Sequence, residues 1–226
     1  MRSILVIMLI SLCATINIQA QDDPEYRMEI GAGAGLTGYL GDFNNNLTHN
    51  LQPMLTVLGR YVMNPYMALR MNVSYGKMKG SSKGLRTYYP AYATSPYEFN
   101  NAIYDVCLGY EYNFWPYGTG RDYRGAKRLT PFVFGGIGTT YVDKKNGGKL
   151  TLNVPIGIGA KYKFSDRVNV GLEWAMHFTQ SDELDGVRDP YLIKSSGLFK
   201  NTDCYSALQL TLTYSFMAKC KTCNRE

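Results

Sequence analysis

Cys220-Lys-Thr-Cys223 stands at the end of a 226-residue chain, and a C-x-x-C pair supports three chemistries: dithiol redox exchange, half of a zinc site, or disulfide formation. Redox exchange needs a folded domain to tune the thiols, and a four-thiolate zinc site needs a second pair. The segment Met217 to Glu226 offers neither. Disulfide chemistry is therefore the expectation, with an inert tail as the bland alternative, and its sharper form is an intermolecular bond from one or both thiols to a partner chain. His177 and Glu173 lie four residues apart on one face of a patterned segment. An acid and a His beside a Ser can make a hydrolase triad, but no nucleophile motif accompanies these two, and a hydrogen-bond network is the expected role. Asp182, Glu183, Asp185 and Asp189 lack the EF-hand spacing and read as a solvated loop. Lys144, Lys145 and Lys149 flank a hairpin turn at Asn146-Gly147. No catalytic residue, metal site or cofactor is expected.

The elements that position these groups are strands. Tyr26 to Leu40 sets Met28, Ile30, Ala32, Ala34 and Leu36 against Arg27, Glu29, Gly31, Gly33, Gly35 and Thr37. The same period of two runs through Gln52 to Tyr61, where Arg60 faces away from the apolar side, and through Met67 to Lys77, Asn101 to Phe114, Leu150 to Phe164, Val168 to Phe178 and Leu208 to Phe216. Pro131 to Val142 is glycine-rich and less regular. Together these segments predict an all-β fold, an eight-stranded antiparallel transmembrane β-barrel, because in a bilayer a sheet must close on itself to satisfy its backbone. A soluble calyx would have the opposite polarity, with an apolar lumen. Aromatic residues at strand ends (Tyr26, Tyr39, Tyr61, Tyr75, Tyr112, Phe114, Tyr141, Tyr162, Phe164, Phe178, Tyr214 and Phe216) favour the membrane form, as interfacial girdles. Eight strands leave a lumen with room only for side chains. Arg27, Glu29, Arg70, Asp105, Glu111, Lys161, Lys163 and Glu173 are expected to pair there and leave no wide pore.

Short and long connections alternate. Asn64-Pro65 and Ser165-Asp166-Arg167 are tight; Met78 to Asn100 and Gln180 to Asp203 are long and polar. Bacterial barrels place tight turns in the periplasm, so both termini fall there. Trp115 to Thr130 breaks the rule, being long on the periplasmic side and carrying Arg121, Arg124, Lys127 and Arg128. Residues 1–20 read as a secretory signal, with Arg2 ahead of an apolar stretch from Ile4 to Cys13 that is shorter than the roughly 20 residues a spanning helix needs. Residues 21–216 form the barrel and 217–226 a periplasmic tail. The net charge of +6 suits anionic lipid headgroups or an acidic protein partner, and export excludes nucleic acid. Once Cys13 leaves with the leader, Cys107, Cys204, Cys220 and Cys223 remain in a compartment where disulfides persist; Cys107 and Cys204, on non-neighbouring strands, are expected to be free thiols.

Four pieces in order, Tyr39-Leu40-Gly41-Asp42-Phe43-Asn44, Asn64-Pro65-Tyr66-Met67-Ala68-Leu69-Arg70, Leu129-Thr130-Pro131-Phe132-Val133-Phe134-Gly135-Gly136 and Thr179-Gln180-Ser181-Asp182-Glu183-Leu184-Asp185-Gly186-Val187, resemble the PorG family, small outer-membrane barrels of the type IX secretion system in Bacteroidetes. The likeness spans nearly all of the mature chain, and its motif residues are Tyr39, Gly41, Asp42 and Asn44. It implies a non-enzymatic component that joins the outer membrane to a periplasmic ring of a lipoprotein and its partner, the PorK and PorN type of assembly. Candidate partner contacts are then Arg121, Arg124, Lys127 and Arg128 of the long turn, with Lys219, Cys220, Lys221 and Cys223 of the tail. Rival readings are a lipid-modifying barrel enzyme and a small passive channel.

Overall fold

A computed structural model describes residues 25–40, 50–81, 98–120, 125–144, 147–181 and 203–218. Eight antiparallel strands close into one barrel in chain order: β1 (Tyr26–Leu40), β2 (Gln52–Asn64), β3 (Met67–Ser81), β4 (Glu98–Asn113), β5 (Leu129–Asp143), β6 (Lys149–Lys163), β7 (Val168–Thr179) and β8 (Cys204–Ala218). β8 returns to β1 from Leu40↔Cys204 to Tyr26↔Ala218, so the sheet has no edge. The fold is the eight-stranded transmembrane barrel that the alternation predicts. β3 and β4 run further than the sequence suggests, pairing out to Ser81↔Glu98, because Gly80 and Phe99 continue the inward alternation beyond the last outward tyrosines. The proposed signal segment and the tail Lys219, Cys220, Lys221 and Cys223 lie outside the described residues.

Polarity settles inside from outside. The outward face exposes Ile30, Leu55, Val57, Leu69, Val73, Leu108, Ile137, Leu152, Ile156, Ile158, Leu172, Leu210 and Leu212, a belt that water would not tolerate at this extent and hydrocarbon would. At the short-turn end Tyr61, Tyr112, Phe114, Trp115, Tyr162, Phe164 and Tyr214 stand outward, and at the opposite end Tyr75, Tyr104 and Tyr141 form a contiguous row, with centroids 5.0 and 6.2 Å apart. These are the two interfacial girdles. Tyr39 is a correction: it shares the parity of Thr37, points inward and is fully buried, its hydroxyl donating to Asp203 Oδ1 at 2.6 Å. Around it Met78, Phe99, Ile103, Val142 and Tyr205 form an apolar plug at the long-loop end of the lumen.

Turn chemistry follows the same logic. The Asn64 side chain accepts from the Tyr66 amide at 2.8 Å, an Asx turn that leaves only Pro65-Tyr66 between β2 and β3. Between β6 and β7, the Phe164 and Ser165 amides both donate to the Val168 carbonyl.

A charge placed mid-belt should be costly. Leu210→Arg is expected to lower the unfolding free energy in lipid vesicles by about 2–4 kcal/mol, whereas Thr211→Ser, facing the lumen next to it, should change it by less than about 1 kcal/mol. Denaturant titration followed by tryptophan fluorescence reads both.

Candidate functional site

The lumen is filled from within by a salt-bridge cluster. Arg60 of β2 donates to Glu111 (2.8 Å), Glu173 (2.6 Å) and Glu29 (3.3 Å). Arg70 of β3 reaches Glu173 (2.6 Å) and Glu111 (3.3 Å), and Lys161 of β6 reaches Glu111 at 2.5 Å. Three cations thus meet three carboxylates, and all six side chains are buried. Burying ions is favourable only when each is paired and hydrogen-bonded, and the six come from β1, β2, β3, β4, β6 and β7. Phe134 lies under the Arg70 guanidinium at 3.8 Å, and Phe132 is within 5.8 Å of Arg60 and 5.4 Å of Lys161. The two rings fit because β6 presents glycines: a Cβ at Gly157 would stand 2.3 Å from Phe134, and one at Gly159 2.6 Å from Phe132.

Arg27, Lys163 and Asp105 depart from the expected lumen pairing; Asp105 is held by the neutral donors Tyr205, Thr140 and Asn153 and not by a lysine or arginine among the described residues. Arg27 sits one pair from the end of β1 and is exposed there. Lys163 is buried but has no carboxylate within salt-bridge distance among the described residues; it donates to Asn169 at 3.4 Å and lies over the rings of Tyr26 and Tyr117. Arg60 carries three of the cluster's six ion pairs, yet the strand pattern gave only its inward direction; the convergence of carboxylates from non-neighbouring strands is a property of the closed barrel.

The long β4–β5 turn folds back over the lumen mouth. The Lys127 amide donates to the Pro116 carbonyl and the Gly118 amide to the Lys127 carbonyl, pinning the two arms together. Thr119 donates to Glu25 through both its amide and its hydroxyl, and Arg128 Nε donates to the Thr119 carbonyl. Tyr117 enters the mouth: its hydroxyl donates to Asn169 at 2.8 Å, and its ring faces the Lys161 ammonium at 4.6 Å. Burial pushes the Tyr117 phenol well above its ordinary pKa, so it remains a neutral donor. Lys127, packed 4.5 Å over Trp115, Arg128, Arg167 and Arg27 are exposed around this end, a basic rim. Arg121 and Arg124 fall outside the described residues, as do Gly41, Asp42 and Asn44 of the motif.

Cys107 and Cys204 are free thiols. The triad suggested by His177 and Glu173 does not assemble: Glu173 is held by Arg60 and Arg70, and the carboxylate nearest His177 is Asp105, 3.8 Å from Nδ1.

A family model described as Domain of unknown function (DUF6089) matches residues 2–225. The chain belongs to the DUF6089 family. Among solved structures, this DUF6089 protein is similar to Neisserial surface protein A, at 13% identity over 84% of this chain and 97% of that one with a TM-score of 0.50. It is also similar to the outer membrane protein OprG from Pseudomonas aeruginosa, at 10% identity over 88% and 99% with a TM-score of 0.49. The first likeness supports the eight-stranded membrane-barrel fold. No curated protein sequence matches the chain.

Removing one member of the cluster should expose how tightly it is coupled. Glu111→Ala leaves Arg60, Arg70 and Lys161 short of counter-charge and is expected to cost about 3–5 kcal/mol, read as a lower denaturant midpoint for the barrel in lipid. Replacing Glu29, whose one ion pair is longer and whose other contacts are hydroxyl donors at 3.5 Å, should cost visibly less in the same assay.

Proposed function

We propose that this protein is a non-enzymatic outer-membrane barrel of the type IX protein secretion apparatus, which anchors a periplasmic ring built from a lipoprotein and its partner. One observation carries the reading: the lumen is filled by paired charges and closed at the long-loop end by an apolar plug and at the other by Tyr117, while Arg27, Lys127, Arg128 and Arg167 stand exposed on the short-turn rim. A filled lumen is a poor conduit, and the three carboxylates of its ion cluster, Glu29, Glu111 and Glu173, are occupied by two arginines and a lysine. What such a barrel offers is a fixed surface. In outer-membrane barrels the short-turn end faces the periplasm, and on this reading Lys127 and Arg128, exposed at that end, would meet the ring. The ordered resemblance of four motif pieces to the PorG family supports the same assignment; of its motif residues Tyr39 is a member of the lumen plug.

A basic rim should recognise an acidic partner surface, with attraction that weakens as salt rises. Mild-detergent purification of the tagged chain from its native envelope is expected to bring down a lipoprotein and a second periplasmic protein. Lys127→Glu combined with Arg128→Glu should reduce that recovery several-fold while the barrel remains in the outer membrane. Recovery of the barrel without any periplasmic partner, together with unchanged protein secretion on deletion, would refute the assignment.

A further inference from the structure

We propose that Asp105, Cys107 and His177 form a binding site for a zinc-type transition-metal ion inside the barrel, between the salt-bridge cluster and the apolar plug. Asp105 and Cys107 are successive inward residues of β4, and His177 projects from β7 on the far side of the lumen. One carboxylate oxygen, the thiol sulfur and one ring nitrogen of His177 lie within 4.8 Å of one another, and Nδ1 is 3.8 Å from Asp105 Oδ2. Metal–ligand bonds of about 2.0–2.3 Å would draw the longest of these separations in by about an ångström, within reach of rotation about the Cys107 and His177 side-chain bonds.

Three further features suit an ion. The Asp105 carboxylate is oriented from behind: Oδ1 accepts from Tyr205 OH (2.9 Å), Thr140 Oγ1 (2.8 Å) and Asn153 Nδ2 (2.5 Å). Oδ2 is left toward Cys107 Sγ, which donates to it at 2.9 Å, and toward His177. Outer hydrogen bonds of this kind hold metal-ligating carboxylates in place. His177 is stacked on Tyr205, with centroids 4.4 Å apart and planes at 12°, yet its buried Nδ1 has no hydrogen-bond partner. A buried ring nitrogen without a partner is costly, and in the tautomer protonated on Nε2 the Nδ1 lone pair is free for a metal beside the Asp105 carboxylate. Finally, a void of about 20 Å³ borders all three groups, room for one water. Three protein ligands and one water make a four-coordinate site of the open type.

The chemistry of the donors selects the ion. Sulfur, imidazole nitrogen and a single carboxylate oxygen suit Zn²⁺ and its neighbours over Ca²⁺ or Mg²⁺, which take mostly oxygen. Charge agrees as well. Arg60, Arg70 and Lys161 are matched by Glu29, Glu111 and Glu173, and Asp105 has no Lys or Arg within salt-bridge distance among the described residues. Binding would displace the thiol proton now shared with Asp105 into solvent, and the resulting thiolate and carboxylate would neutralise a divalent ion. Gly138 makes room for the sulfur, since a Cβ there would stand 2.3 Å from Cys107 Sγ. The bound ion would cross-brace β4 and β7.

The test uses the full chain folded in detergent, with Cys220→Ser and Cys223→Ser to silence the tail thiols and an affinity tag free of histidine. Co²⁺ is supplied in two ways, to the folded barrel and during folding, because the plug covers the site. One equivalent of bound cobalt with a thiolate-to-metal charge-transfer band is expected by at least one route. The band should vanish in Cys107→Ser, affinity should fall at least tenfold in His177→Gln, and Tyr205→Phe should weaken binding by about tenfold through its hold on Asp105. Heat-modifiable migration on gels confirms that each variant is folded, and should Cys107→Ser not fold, His177→Gln carries the comparison. Failure of the folded parent barrel to take up cobalt by either route, a band that survives Cys107→Ser, or binding unchanged in folded His177→Gln would overturn the site.

Discussion

The pairing of β1 with β8 turns eight strands into a surface without an edge, and in hydrocarbon that closure is obligatory, because an unpaired row of amides and carbonyls would cost several kcal/mol per group. Everything else in the molecule is a consequence of satisfying it with only eight strands. A cylinder this narrow has an interior too small for a water column and too wide to leave empty. Side chains must fill it. Since the outward positions of every strand are taken by the apolar belt, the inward positions are free to be polar, and the buried interior carries most of the chain's chemistry.

Filling a narrow lumen with ions is tolerable only if the charges arrive in matched sets. Arg60 can satisfy three carboxylates because a guanidinium presents several donors in one plane, and the barrel brings Glu29, Glu111 and Glu173 to it from three different strands. Removing water raises both the cost of each ion and the value of each pair. A cluster so arranged contributes specificity of register: sliding any strand by one residue would turn its charge into the bilayer and leave the partner alone.

Much of this was legible in the sequence. Strict alternation in β4, from Ala102 to Tyr112, gave two unlike faces, the aromatic residues at strand ends turned the apolar one toward lipid, and the cationic and acidic residues of the opposite parity announced a paired lumen. Arg27 escaped because alternation gives a direction but no depth: the residue has the inward parity yet lies beyond the last enclosed layer. Tyr39 was misassigned by the opposite error, in which an aromatic near a strand end was counted toward a girdle although its parity pointed inward. The gathering of Asp105, Cys107 and His177 was not legible at all. Two of them are neighbours on one strand, but the third is reached only across the lumen, and strand tilt, which decides who meets at a given depth, is not written in any local pattern. One trace of it exists: Gly138, whose missing side chain faces the Cys107 sulfur.

Tyr117 joins a turn to a wall. Its hydroxyl is bonded to Asn169 on β7, its ring lies against Lys161 on β6, and Lys161 in turn holds Glu111 on β4. A pull on the β4–β5 turn is therefore delivered to three staves of the barrel at once, through contacts that must slide or break together. A loop on a free tether would stretch before it transmitted force; this one is mechanically stiff from the start, so that tension applied at the rim would reach the bilayer-spanning strands with little give.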